Sequence, residues 1–151
     1  MSAQTKPSNR GFWLVMLPIA AFGMVLIVLV VLFRPRPGGE AVVQSNLRAA
    51  VDAAVSIGRQ EGSLAGAGAL RMRRAVPDLL FIDPDESSND PAVVSVFASS
   101  SVWAGAARAS SGACYWIRAT LDGTTTYGSG PDCTGKAAAL ARRSSWPAAG
   151  T

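Results

Sequence analysis

The sequence contains no histidine, and only two cysteines and two lysines occur among its 151 residues. Histidine is the commonest general base and a frequent zinc ligand, so its absence excludes a Ser-His-Asp triad and most zinc sites. The glycine-rich stretch 58–68 is not followed by Gly-Lys-Ser/Thr, which argues against a phosphate-binding loop. We therefore expect a protein that is not an enzyme and uses no cofactor.

The positive charge is too dispersed to indicate a nucleic-acid partner. The net charge is +4, but Lys6 and Arg10 precede the long apolar segment of the chain, and the remaining twelve Lys and Arg face ten acids. Apart from the run at Arg71, Arg73 and Arg74, these cations are scattered. Nucleic-acid binding needs a dense basic face, so no such partner is predicted.

Residues 12–33 form a run of 22 residues without a charge, FWLVMLPIAAFGMVLIVLVVLF. A helix of this length spans roughly 33 Å, close to the thickness of the bilayer's hydrocarbon core. The run is longer than the apolar part of a secretory signal, and the prolines and glycines of residues 34–39 end it. The segment predicts a single-pass transmembrane helix, with membrane lipid as its partner, followed by a linker at 34–39.

The cysteines suggest which side of the membrane the remaining domain occupies. Basic residues flank the apolar run on both sides, so the positive-inside rule does not decide the orientation. Cys114 and Cys133 both follow the run, and paired cysteines in a small anchored domain favour an oxidising compartment. We expect residues 1–11 to be cytoplasmic and residues 40–151 to form an extracytoplasmic domain in the cell envelope. Two free buried thiols remain the alternative.

The pattern from Glu40 to about Arg59 is that of an amphipathic helix. Apolar residues recur at spacings of three and four, and the helix is expected to end at Gly58 or Gly62. A second, shorter helical stretch is predicted from Leu64 through Arg74, before Pro77.

Short β-rich segments separated by Ser, Gly, Asp and Pro follow. They are residues 79–82, 93–97, 102–107, 114–120 and 124–127, with a hairpin turn at Asp122-Gly123. A last short helix is expected within 134–143, and Trp146 is expected to pack back on the domain. The predicted fold class is α+β, with the amphipathic helix on a small antiparallel sheet. A Cys114–Cys133 disulfide would close a loop of about 20 residues and stabilise the domain by roughly 3 kcal/mol.

The segment 83–91 gathers four carboxylates and an amide, which are oxygen donors suited to calcium. It lacks the glycine and the distal glutamate of an EF-hand loop, so a solvated acidic turn is favoured over a metal site. Asp83, Asp85 and Asp90 are the weak metal candidates.

Four aromatic residues of the strand region are expected to form core and not a ligand platform. Phe97, Trp103, Tyr115 and Trp116 lie on predicted strands, where they would bury their area against the helix.

Several motifs together resemble type IV pilins and pseudopilins. Arg10-Gly11-Phe12 directly before the apolar run is similar to the signal at which a prepilin peptidase cuts after the glycine and methylates the phenylalanine. Residues 45–50 followed by Gly62-Ser63 are similar to the stretch after the pilin spine. Residues 111–117, 127–128 and 133–135 are similar to the disulfide-closed C-terminal region of many actinobacterial pilin-like proteins.

This resemblance implies a pilin-like fold with cleavage after Gly11 and methylation at Phe12. It also implies a structural subunit of a type IV pilus or type II secretion system, with prepilin peptidase and other pilin-like subunits as partners. Three features depart from the family. Met16 stands where a glutamate is usual, residues 34–39 interrupt the helix, and Leu47-Arg48 arrives about one turn early. The departures favour a minor subunit, or an anchored binding or accessory domain that does not polymerise.

Overall fold

The computed structural model of the protein describes residues 39–147, which begin with helix α1, Glu40–Glu61. Gly39 before it has an extended backbone (φ −66°, ψ −173°), and Gly62 ends it in the left-handed region at φ 69°. The predicted helix is therefore confirmed, with Gly62 as its end. The residues of α1 that are buried against the rest of the domain are Val43, Leu47, Ala50, Val51, Ala54, Ile57 and Gly58.

Two short turns of helix follow where one was expected. A 3₁₀ turn covers Leu64–Gly66, and helix α2 covers Ala69–Ala75. The break falls at Ala67, whose carbonyl accepts a 3.0 Å hydrogen bond from the indole Nε1 of Trp103. Because a buried tryptophan N–H needs an acceptor, this bond ties the segment to the sheet at the point where the helix is interrupted.

The sheet has five strands in the order β1-β2-β3-β4-β5. These are β1, Leu80–Ile82; β2, Val93–Ala98; β3, Val102–Arg108; β4, Cys114–Thr120; and β5, Thr125–Gly130. Strands β2 to β5 form an antiparallel meander. The prediction of a wholly antiparallel sheet is wrong for β1, which pairs in parallel with β2 through Leu80 and Val93. Residues 83–92 form a crossover that returns the chain to the start of β2, so both strands run in one direction.

The predicted turn between β4 and β5 is confirmed. Gly123 has φ 90°, a conformation that favours glycine, and Thr124 donates its backbone N–H to Asp122 Oδ1 at 3.0 Å. The predicted C-terminal helix is shorter than expected, because α3 covers only Gly135–Ala138.

The sheet buries both faces, one against α1 and the other against α3 and the disulfide. Trp103 and Tyr115 lie on the α1 face, as expected for core aromatics. Phe97 and Trp116 instead pack on the opposite face with Cys114 and the α3 region. The expectation that all four aromatics lie against the helix is therefore wrong for these two, because consecutive strand residues point to opposite faces.

Within residues 39–147, no helix is long and apolar enough to cross a membrane. The predicted span at 12–33 and the cleavage residues Gly11 and Phe12 lie outside the described residues.

Candidate functional site

An open groove lies between the start of α1 and the C-terminal tail, residues 141–147. Its volume is about 440 Å³. We call it the α1–tail groove. Its lining residues are Glu40, Gln44, Arg48, Tyr127, Ser144, Ser145, Trp146 and Pro147.

Trp146 fixes the tail in this position. Its indole Nε1 donates a 2.9 Å hydrogen bond to the carbonyl of Trp116 on β4. Its ring meets Tyr127 edge-on, with centroids 4.5 Å apart, and the guanidinium carbon of Arg48 lies 5.0 Å from its centroid. The ring therefore joins α1, β4 and β5, and confirms the prediction that Trp146 packs back on the domain.

The tail also pairs with β5 through its backbone. Tyr127 donates its N–H to the carbonyl of Arg143 at 2.8 Å, and Arg143 donates its N–H to the carbonyl of Tyr127 at 3.0 Å. Next to this pair, the hydroxyl of Thr126 donates to the carbonyl of Ala141 at 3.0 Å. The tail thus adds one residue of antiparallel pairing to the outer edge of the sheet.

A second contact ties the first residue of α1 to the sheet beneath the groove. Burial, and then the neighbouring carboxylate of Glu40, raise the pKa of the Tyr115 hydroxyl to about 12. Glu40 also lies in the first turn of α1, where a negative charge is favoured by the helix dipole.

The side chains that line the groove are mostly polar. They include one carboxylate, from Glu40, one guanidinium, from Arg48, and two serine hydroxyls. Outside the groove, hydrogen bonds from Thr120 and Thr124 lower the pKa of Asp122, a turn residue.

Comparison with known proteins identifies no matching family model, no matching curated protein and no matching solved structure.

The three metal candidates do not converge on a common point. Asp85 forms an ion pair with Lys136, and Asp90 accepts the backbone N–H of Ala92 at 2.8 Å. Asp83 borders a separate depression together with Arg71 and Arg74. In the described part of the chain, no group of three or more Asp, Glu, Cys or His side chains is placed to share an ion.

The acidic segment is nevertheless anchored. Ser88 is buried, and its hydroxyl donates to the carbonyl of Val93 at 2.7 Å and accepts the N–H of Arg108 at 3.1 Å. Its own N–H donates to the carbonyl of Cys133 at 2.8 Å. The segment is therefore exposed at its carboxylates and fixed at its centre.

The predicted disulfide is present. Cys114, the first residue of β4, is bonded to Cys133, with the two Cα atoms 5.4 Å apart and both residues buried. The bond closes the sheet-face cluster that contains Phe97 and Trp116.

Sequence reasoning did not single out Glu40 or Arg48 as parts of a site. Arg48 belongs to the polar side of α1, and nothing in the helical pattern distinguishes it from Asp52 or Arg59. The available signal was Trp146, because a tryptophan in a polar tail needs a surface to cover its ring.

Proposed function

We propose that the chain is a membrane-anchored structural subunit of pilin-like type, in an envelope filament or a secretion system. In this proposal residues 12–33 hold the protein in the lipid bilayer. Residues 40–151 form its extracytoplasmic domain.

The observation that carries the proposal is the arrangement of α1 on the sheet. The helix has 22 residues and starts shortly after the apolar run. It packs one side against the sheet along its length, from Val43 to Ile57. Its other side, including Ser45, Asp52 and Ser56, is exposed. A helix that carries a disulfide-closed sheet on one side and leaves the other side open is suited to lateral contacts between subunits.

The disulfide supports the external placement within this proposal. The domain is small and its stability margin is correspondingly narrow. A cross-link persists in an oxidising compartment and is rare in the cytosol.

A second candidate is an anchored accessory domain that does not polymerise. Two observations favour it. Met16 stands where the pilin family usually has a glutamate that sets the position of one subunit relative to the next. The backbone of Gly39 is extended, and α1 begins directly after it. In this case the N-terminal segment serves as a permanent anchor.

The intact mass of the mature protein, purified from membranes of cells that express a prepilin peptidase, tests the two candidates. The pilin-like proposal predicts loss of Met1 to Gly11 and a methyl group on Phe12. Gly11→Val should retain the full mass, and Asn9→Ala, the matched control, should still be processed. A wild-type protein that keeps residues 1–11 and stays in the membrane fraction would favour the accessory domain, whereas recovery in the aqueous phase would refute both.

A further inference from the structure

We propose that the tail, residues 141–147, acts as an edge strap that occupies the outer edge of β5 and prevents a second copy of this chain from pairing there. The inference concerns self-association of the folded domain and does not depend on the pilin-like proposal.

The two edges of the sheet are protected in different ways. At the β1 edge the strand has only three residues, and Arg73 Nε donates a 2.7 Å hydrogen bond to the carbonyl of Phe81. A short strand with a cation on its edge is a poor template for another strand. The β1 edge therefore needs no further cover.

The β5 edge lacks such features of its own. Its sequence, TTYGSG, contains no charge and no proline, and two of its first three residues are β-branched. An uncharged edge strand whose backbone N–H and C=O groups lack partners readily pairs with a strand of another chain. Among residues 39–147, the backbone hydrogen bonds to the outer edge of β5 come from the tail alone.

The register shows which backbone groups face outward. Because Tyr127 exchanges both of its backbone hydrogen bonds with Arg143, the alternation of an antiparallel ladder directs Thr125 and Ser129 outward as well. Within residues 39–147, the outward backbone groups of Thr125 and Ser129 have no backbone partner. The strap thus provides backbone hydrogen-bond partners for one of the three outward-facing residues, Tyr127.

This edge is complementary to itself. If two β5 strands pair antiparallel with Tyr127 opposite Tyr127, Thr125 of each copy faces Ser129 of the other. The arrangement is a two-fold symmetric contact with about six backbone hydrogen bonds, where the strap makes two. A second copy is therefore the partner that fits the edge best, and it can bind only after the strap leaves.

The strap is held mainly by Trp146, which makes it possible to release the tail without altering β5. Trp146→Ala removes the contacts with Arg48, Tyr127 and Trp116, and Arg143→Pro removes the N–H given to Tyr127. Ser145→Ala is a matched control, because Ser145 is exposed in the same tail.

The test measures the oligomeric state of the full-length protein in detergent by sedimentation equilibrium. The double variant Arg143→Pro/Trp146→Ala should dimerise with an association constant at least about tenfold above that of the wild type and of Ser145→Ala. Adding Ser129→Pro, which removes an outward N–H from the edge, should reverse the gain. Association through the apolar N-terminal segment would not respond to Ser129→Pro.

A folded double variant that stays monomeric would overturn the proposal, and so would a dimer that Ser129→Pro leaves intact. If the double variant does not fold, hydrogen exchange on the wild-type protein decides instead. After correction for intrinsic rates, the Tyr127 amide, bonded to the tail, should exchange at least about tenfold faster than the Thr126 amide, bonded to β4. Equal rates would show that the tail does not open independently and would overturn the edge strap.

Discussion

At the scale of single residues, two backbones approach each other closely where α3 meets β2. A Cβ placed on Gly135 would lie 2.5 Å from the backbone nitrogen of Phe97 and 2.6 Å from the carbonyl carbon of Val96. These are main-chain atoms and cannot rotate away as a side chain can. The N–H of Gly135 also donates to the hydroxyl of Ser95 at 2.8 Å. Glycine is thus required here by close approach of two backbones.

We predict that Gly135→Ala destabilises the domain by about 1–3 kcal/mol, because overpacking must move β2 or α3. Urea unfolding of the disulfide-bonded protein, followed by tryptophan fluorescence, measures the effect. Gly68→Ala is the matched control, since a Cβ at Gly68 meets nothing within 4 Å. Its midpoint should stay close to that of the wild type, and equal midpoints for both variants would contradict the packing argument.

At the scale of elements, the pattern of the sequence predicts most strand positions and the length of α1, but not how the elements meet. The alternation in residues 114–120 is enough to place Tyr115 and Trp116 on opposite faces. The pattern does not show which face receives α1 and which receives α3, because a helix of four residues is too short for a periodicity that would mark its buried side. The parallel pairing of β1 was missed for a similar reason, since a three-residue strand carries no mark of its direction.

The α1–tail groove was predictable in part. The ring of Trp146 needs cover, and its return to the domain follows from that requirement alone. The contact of Trp146 with Arg48 and the pairing of the tail with Tyr127 depend on the path of residues 134–145. That path is set by the disulfide and by the buried contact at Gly135, and local sequence pattern records neither.

The contact between Glu40 and Tyr115, which ties the start of α1 to β4, leads to a pH-dependent prediction. The folded pKa of Tyr115 is raised from 10.0 to about 12, chiefly by burial and then by Glu40. Below pH 10 the stabilisation is fully present, because the phenol is neutral in both states. As pH rises from about 10 to about 12, the unfolded state ionises first, so stability falls.

The free energy of unfolding of the wild type should therefore decrease by roughly 1–3 kcal/mol between pH 9 and pH 12 beyond the decrease in Tyr115→Phe. The variant lacks the ionising hydroxyl and retains the ring, so the comparison isolates the effect of that hydroxyl. Short-exposure thermal melts at matched ionic strength give the comparison. Parallel pH profiles would show that Tyr115 is not the titrating group.

At the scale of the whole molecule, the domain contains one covalent link, which joins the start of β4 to the segment that follows β5. Cys114 and Cys133 are 19 residues apart in sequence, and between them lie β4, the turn and β5. The link holds the chain after β5 against one face of the sheet. In this position the carbonyl of Cys133 accepts the backbone N–H of Ser88. The acidic segment, α3 and the tail are therefore all positioned from one anchored point.

We predict that Cys114→Ala/Cys133→Ala lowers the free energy of unfolding by about 3 kcal/mol, because the unfolded chain regains the freedom of the closed loop. The Tyr127 amide should also exchange faster with solvent, since the tail to which it is bonded comes after Cys133 and loses its anchor. Dithiothreitol supplies the internal control: it should lower the urea midpoint of the wild type and leave the double variant unchanged. A wild type whose midpoint is insensitive to complete reduction would mean that buried contacts on both faces hold the sheet together without the link. The case for an oxidising compartment would then lose its thermodynamic basis.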